Sequence, residues 1–150
     1  MFNEDLVFLD QDIQNSEDLL RFSFNHLKEM GYVKDGYLQS IMDREKEFPT
    51  GLKTHVGIDV AIPHTEADFA EQEAVVFIRT KEKIKFNHMV DPDEEVSTNL
   101  IFNIVVKNPK EQVVFLTKLM KIFQNKELME FLLKENNKKA IVERLTVEIE

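Results

Sequence analysis

The 150 residues suffice for one folded unit with a substantial core, and 43% of them are hydrophobic and 31% charged, as in ordinary globular chains. The lack of cysteine excludes disulfides, thiolate zinc sites and cysteine nucleophiles, and no apolar run nears the ~20 residues of a membrane span, which argues against direct membrane insertion. A formal charge of -9 without a basic stripe argues against nucleic acid; it would steer the chain toward a basic protein surface, although by itself such a charge more often serves solubility alone. With no basic and apolar leader in MFNEDLVFLDQD, a cytoplasmic location is expected.

Along the chain, Leu6-Val7-Phe8-Leu9 reads as a short edge strand. Asn15 or Ser16 then caps a helix with Glu17 and Asp18 in its first turn. Leu20, Phe24, Leu27 and Met30 form its apolar stripe, and Gly31 is its stop. Asp35 is positioned to cap a second helix through Tyr37, Leu38, Ile41, Met42 and Glu45, which must end before Pro49. The period then changes from helical to alternating. Val56, Ile58, Val60 and Ile62 predict a strand, and Pro63, which has no N–H for a ladder, should end it.

The runs Ala74–Arg79 and Leu100–Val106 are nearly all apolar and rich in β-branched residues, as in buried central strands. Between them lie a weak strand at Ile84–Phe86 and an acidic loop around Asp91–Glu95. Asn108-Pro109-Lys110-Glu111 is the clearest helix start: an N-cap, a proline at the first helical position and a glutamate placed for a capping box. Val113, Leu116, Leu119, Met120 and Phe123 mark its buried stripe, and further helices are expected near 126–134 and 138–146. No repeat or linker divides the chain. The expectation is a single α/β domain over 1–150, with a mixed β-sheet sandwiched between helices.

Three features bear on chemistry. His64 follows Pro63 directly, beyond the carboxyl end of a strand, where α/β sheets bind ligands. An imidazole can keep one nitrogen as a nucleophile while the other is held by a hydrogen bond, which suits it to carry a phosphoryl group. By itself, a loop histidine without a role is the commoner reading. The helix opening at Asn108 offers N–H groups and partial positive charge to a phosphate, and it would share the sheet edge of His64 if strand 100–106 runs parallel to strand 56–62. Such helix ends contribute only ~0.3–1 kcal/mol, so they assist and do not suffice. Arg44, near a helix end, has the paired N–H donors that neutralise phosphoryl oxygens, although an arginine among acids is more often an ordinary ion pair.

Other constellations fail. The four histidines show no metal-ligand spacing. A calcium loop starting at Asp91 would need Gly where Val96 stands and Glu where Phe102 stands. No phosphate-cradling or dinucleotide glycine motif occurs, and no metal or cofactor is expected.

Taken together, REKEFPTGL (44–52), VAIPH (60–64) and IFNIVVKNPKEQ (101–112) resemble the fructose/mannitol-type IIA domains (EIIA type 2) of the phosphoenolpyruvate-dependent sugar phosphotransferase system. NPKEQVVFLTKLMKIFQ is most similar to the galactitol-specific branch. The resemblance implies a histidine phosphotransferase component. His64 would take phosphate from HPr and pass it to a cysteine of a IIB protein, for sugar entering through IIC. It also implies that Arg44 stabilises phosphate charge and that Glu111 and Gln112 belong to the flanking helix start, where Asn108 and Glu111 are expected to bind the phosphate. Mannitol and fructose branches carry a second histidine at the position matched by Gln112. The amide here can donate to a phosphoryl oxygen or to the ring, but it cannot become cationic. The alternative within the resemblance is a nitrogen-type regulatory IIA protein, in which the phosphorylation state of His64 controls partner binding.

Overall fold

A five-stranded mixed sheet in the order β1-β4-β5-β3-β2 organises the computed structural model, which describes residues 1–149. β1 (Val7–Gln11) lies at one edge, parallel to β4 (Ala74–Asn87); β4 runs antiparallel to β5 (Glu95–Val105). β3 (Val60–Ala61) is parallel to β5, and β2 (Gly51–Leu52) closes the other edge antiparallel to β3. Side chains alternate across the pleat, which gives the sheet two buried faces. Leu100, Phe102 and Ile104 point into one core with Phe115, Leu119 and Phe123, which belong to α3 (Pro109–Phe123). The same core is completed by α4 (Lys126–Lys134) and α5 (Lys138–Ile149). Ile101 and Val105 point the other way, toward α1 (Ser16–Glu29) and α2 (Tyr37–Glu47). Helices therefore cover both faces of a mixed sheet, as the order of elements predicts.

Several boundaries follow the sequence signals. Asn15 caps α1 by accepting from the Asp18 N–H, and Gly31 ends that helix at φ 79, a backbone region in which a Cβ is strained. Asn108 caps α3 through the Lys110 N–H with Pro109 in the first turn.

Four expectations need correction. The alternating run 56–62 pairs only at Val60–Ala61, because Thr54 to Gly57 form a turn with Gly57 at φ 82. The weak strand at Ile84–Phe86 is no separate element. It continues β4 after an irregularity between Arg79 and Ile84, and β5 reaches back to Glu95 to pair with it, so the acidic loop is a hairpin end. Gly36, without a side-chain bond, precedes α2; Asp35 instead pairs with Lys28 at 3.4 Å. Glu111 lies against the carboxyl of Glu73 and closes no capping box among the described residues.

Candidate phosphoryl-transfer site

The parallel pairing of β3 and β5 sends Ile62-Pro63-His64 and the start of α3 off the same sheet edge. Pro63 lacks an N–H, yet the segment does not leave the sheet at once. The Ile104 N–H donates to the Pro63 carbonyl at 2.9 Å, and His64 bridges Ile104 in parallel. Upstream, the Ile62 N–H donates to the Thr50 carbonyl at 3.2 Å. His64 is thus carried on a main chain fastened on both sides.

His64 is 9% exposed, and its Nδ1 lies 2.7 Å from the Ile62 carbonyl oxygen. A carbonyl only accepts, so Nδ1 carries the proton and the lone pair of the neutral ring is on Nε2. Burial holds the ring's pKa below its ordinary value. The Ile62 bond opposes this, and the positive charge of Arg44 adds to it. The imidazole is therefore kept neutral, as a nucleophile requires.

The other histidines have different surroundings. His26 packs on the rings of Phe8 and Phe22, with centroids 4.4 and 4.7 Å away. His88 accepts the N–H groups of Val90 and Asp91 on Nδ1 inside the β4–β5 hairpin, and His55 is exposed.

Arg44 is placed by the last turn of α2, its guanidinium 5.3 Å from the ring centre of the exposed Phe48. Its neighbour Glu45 does not neutralise it. The Glu45 carboxylate turns inward to the Thr50 N–H and Oγ1 at 2.7 and 2.6 Å. Burial pushes the Glu45 pKa up to about 7 against those two bonds. Among the described residues Arg44 makes no ion pair, so its charge remains available to an incoming anion.

Arg44 and Thr65 line both of two adjoining clefts. One, of about 510 Å³, runs along α2 past Ser40, Glu47 and Phe48. The other, of about 290 Å³, is closed by Glu66, Pro109 and Gln112 from the start of α3. The structure thus brings Arg44, Gln112 and the residue next to His64 together. Asn108 and Glu111 lie outside these linings. The Asn108 side chain is engaged with the Lys110 N–H, and Glu111 faces Glu73 and Met1 on another side of α3. The Glu111 and Gln112 N–H groups donate to the Asn108 carbonyl at 3.1 and 3.2 Å, so the first turn of α3 satisfies its own donors.

Sequence reasoning missed Ser40 and Thr65, whose hydroxyl oxygens are 2.5 Å apart and tie α2 to the segment after His64. It also missed Asn103, whose signal was an amide inside the apolar run IFNIVV.

Comparison with known proteins places the chain in a family. The family described as phosphoenolpyruvate-dependent sugar phosphotransferase system, EIIA 2, matches residues 1–147. The galactitol-specific EIIA component of Escherichia coli K12 is 34% identical over 111 residues, covering 73% of this chain and 71% of that protein. The crystal structure of IIA mannitol from Escherichia coli superposes with a TM-score of 0.74 at 25% identity, over 95% of this chain and 97% of that one. A solution structure of the Escherichia coli mannitol IIA enzyme in complex with phosphorylated IIB gives 0.76 at 24% identity, over 98% and 99% of the respective chains. The chain belongs to the EIIA type 2 family of the phosphoenolpyruvate-dependent sugar phosphotransferase system, whose members are phosphotransferase components.

Proposed function

We propose that this chain accepts a phosphoryl group from HPr on Nε2 of His64 and delivers it to a cysteine thiolate of a IIB protein, ahead of a galactitol-like sugar entering through IIC. The observation that carries the reading is the bond from Nδ1–H to the Ile62 carbonyl, which leaves Nε2 as the free nucleophile beside an unneutralised Arg44. The Nε2 lone pair attacks phosphorus, the phosphorus–nitrogen bond of the donor breaks, and the donor imidazole recovers the electron pair. Nδ1–H stays on Ile62, so no proton need leave the ring, and the carbonyl stabilises the positive charge that the phosphorylated ring acquires. Arg44 offsets the phosphoryl charge, and the Gln112 amide donates to a phosphoryl oxygen. Attack by the IIB thiolate then breaks the Nε2–P bond. The likeness to a galactitol-specific EIIA supports the sugar class, and the mannitol IIA–IIB complex supports the acceptor.

Incubation with phosphoenolpyruvate, enzyme I and HPr, followed by intact mass, tests the reading. Wild type should gain about 80 Da, one phosphoryl group, and His64→Ala should gain none. A wild type that stays unmodified defeats the carrier reading. A phosphorylated wild type that never passes the group to a IIB cysteine favours the nitrogen-type regulatory alternative.

A further inference from the structure

An amide, a hydroxyl and a phenol lie together in the core between the sheet and helices α1 and α2. Asn103 is fully buried near the C-terminal end of β5, on the face of Ile101 and Val105. Its Oδ1 accepts the Ser23 hydroxyl of α1 at 2.5 Å. Its Nδ2 donates to Tyr37 Oη at the start of α2 at 2.9 Å, and to the Pro63 carbonyl at 3.1 Å. Both amide protons and the amide oxygen are therefore used, and no buried side-chain nitrogen or oxygen among the described residues lacks a partner. A half-satisfied polar cluster is worse than an apolar core, and a leucine would complete the stripe of Ile101 and Val105. Packing alone does not call for an amide here.

The geometry points to Asn103 as a positioning residue that sets the phosphoryl-accepting imidazole against the arginine-bearing helix. One Nδ2 proton of its amide is given to the first residue of α2, which carries Arg44 two turns later. The other Nδ2 proton is given to the carbonyl immediately before His64. That carbonyl also accepts the Ile104 N–H, so Asn103 supplies a second, angled donor that fixes the rotation of the Pro63–His64 peptide. This rotation decides whether the ring can reach back to Ile62 through Nδ1 and so leave Nε2 free. The Ser40–Thr65 contact ties the same helix and segment on the far side of His64. Asn103 touches no reacting atom; it acts through the main chain of His64.

The test compares Asn103→Leu, the apolar near-isostere, with Ser23→Ala. The latter removes one bond from the same cluster and leaves the donor to Pro63 in place. The readouts are the imidazole ¹⁵N shifts of His64 in the unphosphorylated protein, the single-turnover rate of phosphoryl uptake from HPr, and the melting temperature. The rate rests on the carrier reading above; the ¹⁵N shifts need no phosphoryl donor, so the two readings can fail separately. For Asn103→Leu the expected result is loss of the dominant Nδ1–H tautomer and a rate about tenfold or more lower, the scale of a mispositioned group. Ser23→Ala should lower the melting temperature and keep both the tautomer and the rate. Should Asn103→Leu fail to fold, Asn103→Ser, which stays polar but is too short to reach Pro63, takes its place with the same expectation. Unchanged ¹⁵N shifts and rate in a folded Asn103 variant would overturn the inference, as would equal changes in Ser23→Ala.

Discussion

A histidine that serves as a nucleophile must be neutral and must point the correct nitrogen outward. For His64, burial lowers the pKa first, the Ile62 carbonyl resists, and the Arg44 charge adds to the lowering, so the folded ring titrates below its ordinary 6.5. Phosphoryl uptake from HPr should then be flat from about pH 6.5 to 8 and fall only on the acid side, as the ring takes up a proton. Single-turnover rates across that range check it; a rate still climbing above pH 7 would contradict a pre-neutralised ring. Stability has the same sign. A depressed folded pKa contributes stability that is present above 6.5 and is lost as pH falls through the folded value. Of this candidate site, His64 was legible as a position because a proline without an N–H and an imidazole directly after it are local features, although the ladder runs on past Pro63 to His64. Arg44 was legible as a charge near a helix end, but its freedom was not, since it depends on Glu45 turning toward Thr50. Asn103 was illegible as a site residue because its partners are far away in the chain, Ser23 being 80 positions off.

At the scale of elements, local signals located helix ends well and strand lengths poorly, for a physical reason. A cap is decided within one turn, whereas a strand ends where its partner stops pairing. Gly57 cut an alternating pattern that looked continuous, and Lys81-Glu82-Lys83 hid the continuity of β4, since a charged, exposed irregularity resembles a loop in sequence. Just before that irregularity stands Arg79, only 3% exposed on a central strand. Its guanidinium reaches the Asp10 carboxylate at 2.9 Å, the carbonyls of Leu132 and Glu135 at 3.0 and 2.7 Å, and Asn136 Oδ1 at 2.7 Å. One side chain thus joins β4, the end of β1 and the C-terminal end of α4, where a cation also meets the negative end of the helix dipole. The planar fork makes these bonds at once, and an ammonium cannot reproduce them. Arg79→Lys should cost about 1–3 kcal/mol in urea unfolding, the scale of leaving buried hydrogen-bonding groups without a partner, while the folded fraction keeps its phosphoryl uptake. A loss below about 0.5 kcal/mol would show that the fork does not hold these elements together.

For the molecule as a whole, charge and shape set how a partner arrives. The net charge is -9, and the exposed acids Asp43, Glu47, Glu66 and Asp68 line the clefts around Arg44. The exposed ring of Phe48 lines one of these clefts, and Val113, next to Gln112 in the first turns of α3, is exposed as well. This arrangement suits a partner with an apolar contact encircled by basic residues, and it sets the acidic rim against the negative charge of the phosphoryl group itself. On a partner whose basic residues surround its phosphoryl group, steering by the rim would act over the longer distance, because those residues screen the phosphoryl charge until contact. The Debye length shortens from about 10 Å at 0.1 M salt to about 3 Å at 1 M, so rim attraction fades while apolar contact persists. The second-order rate of phosphoryl uptake from HPr should therefore fall several-fold over that range, with little change in the single-turnover rate at saturating HPr. Glu47→Lys combined with Glu66→Lys should flatten the salt response and slow uptake at low salt, leaving the fold intact because both side chains are exposed. A wild-type rate that rises with salt would mean that phosphoryl repulsion governs the encounter, and that the acidic rim serves solubility alone.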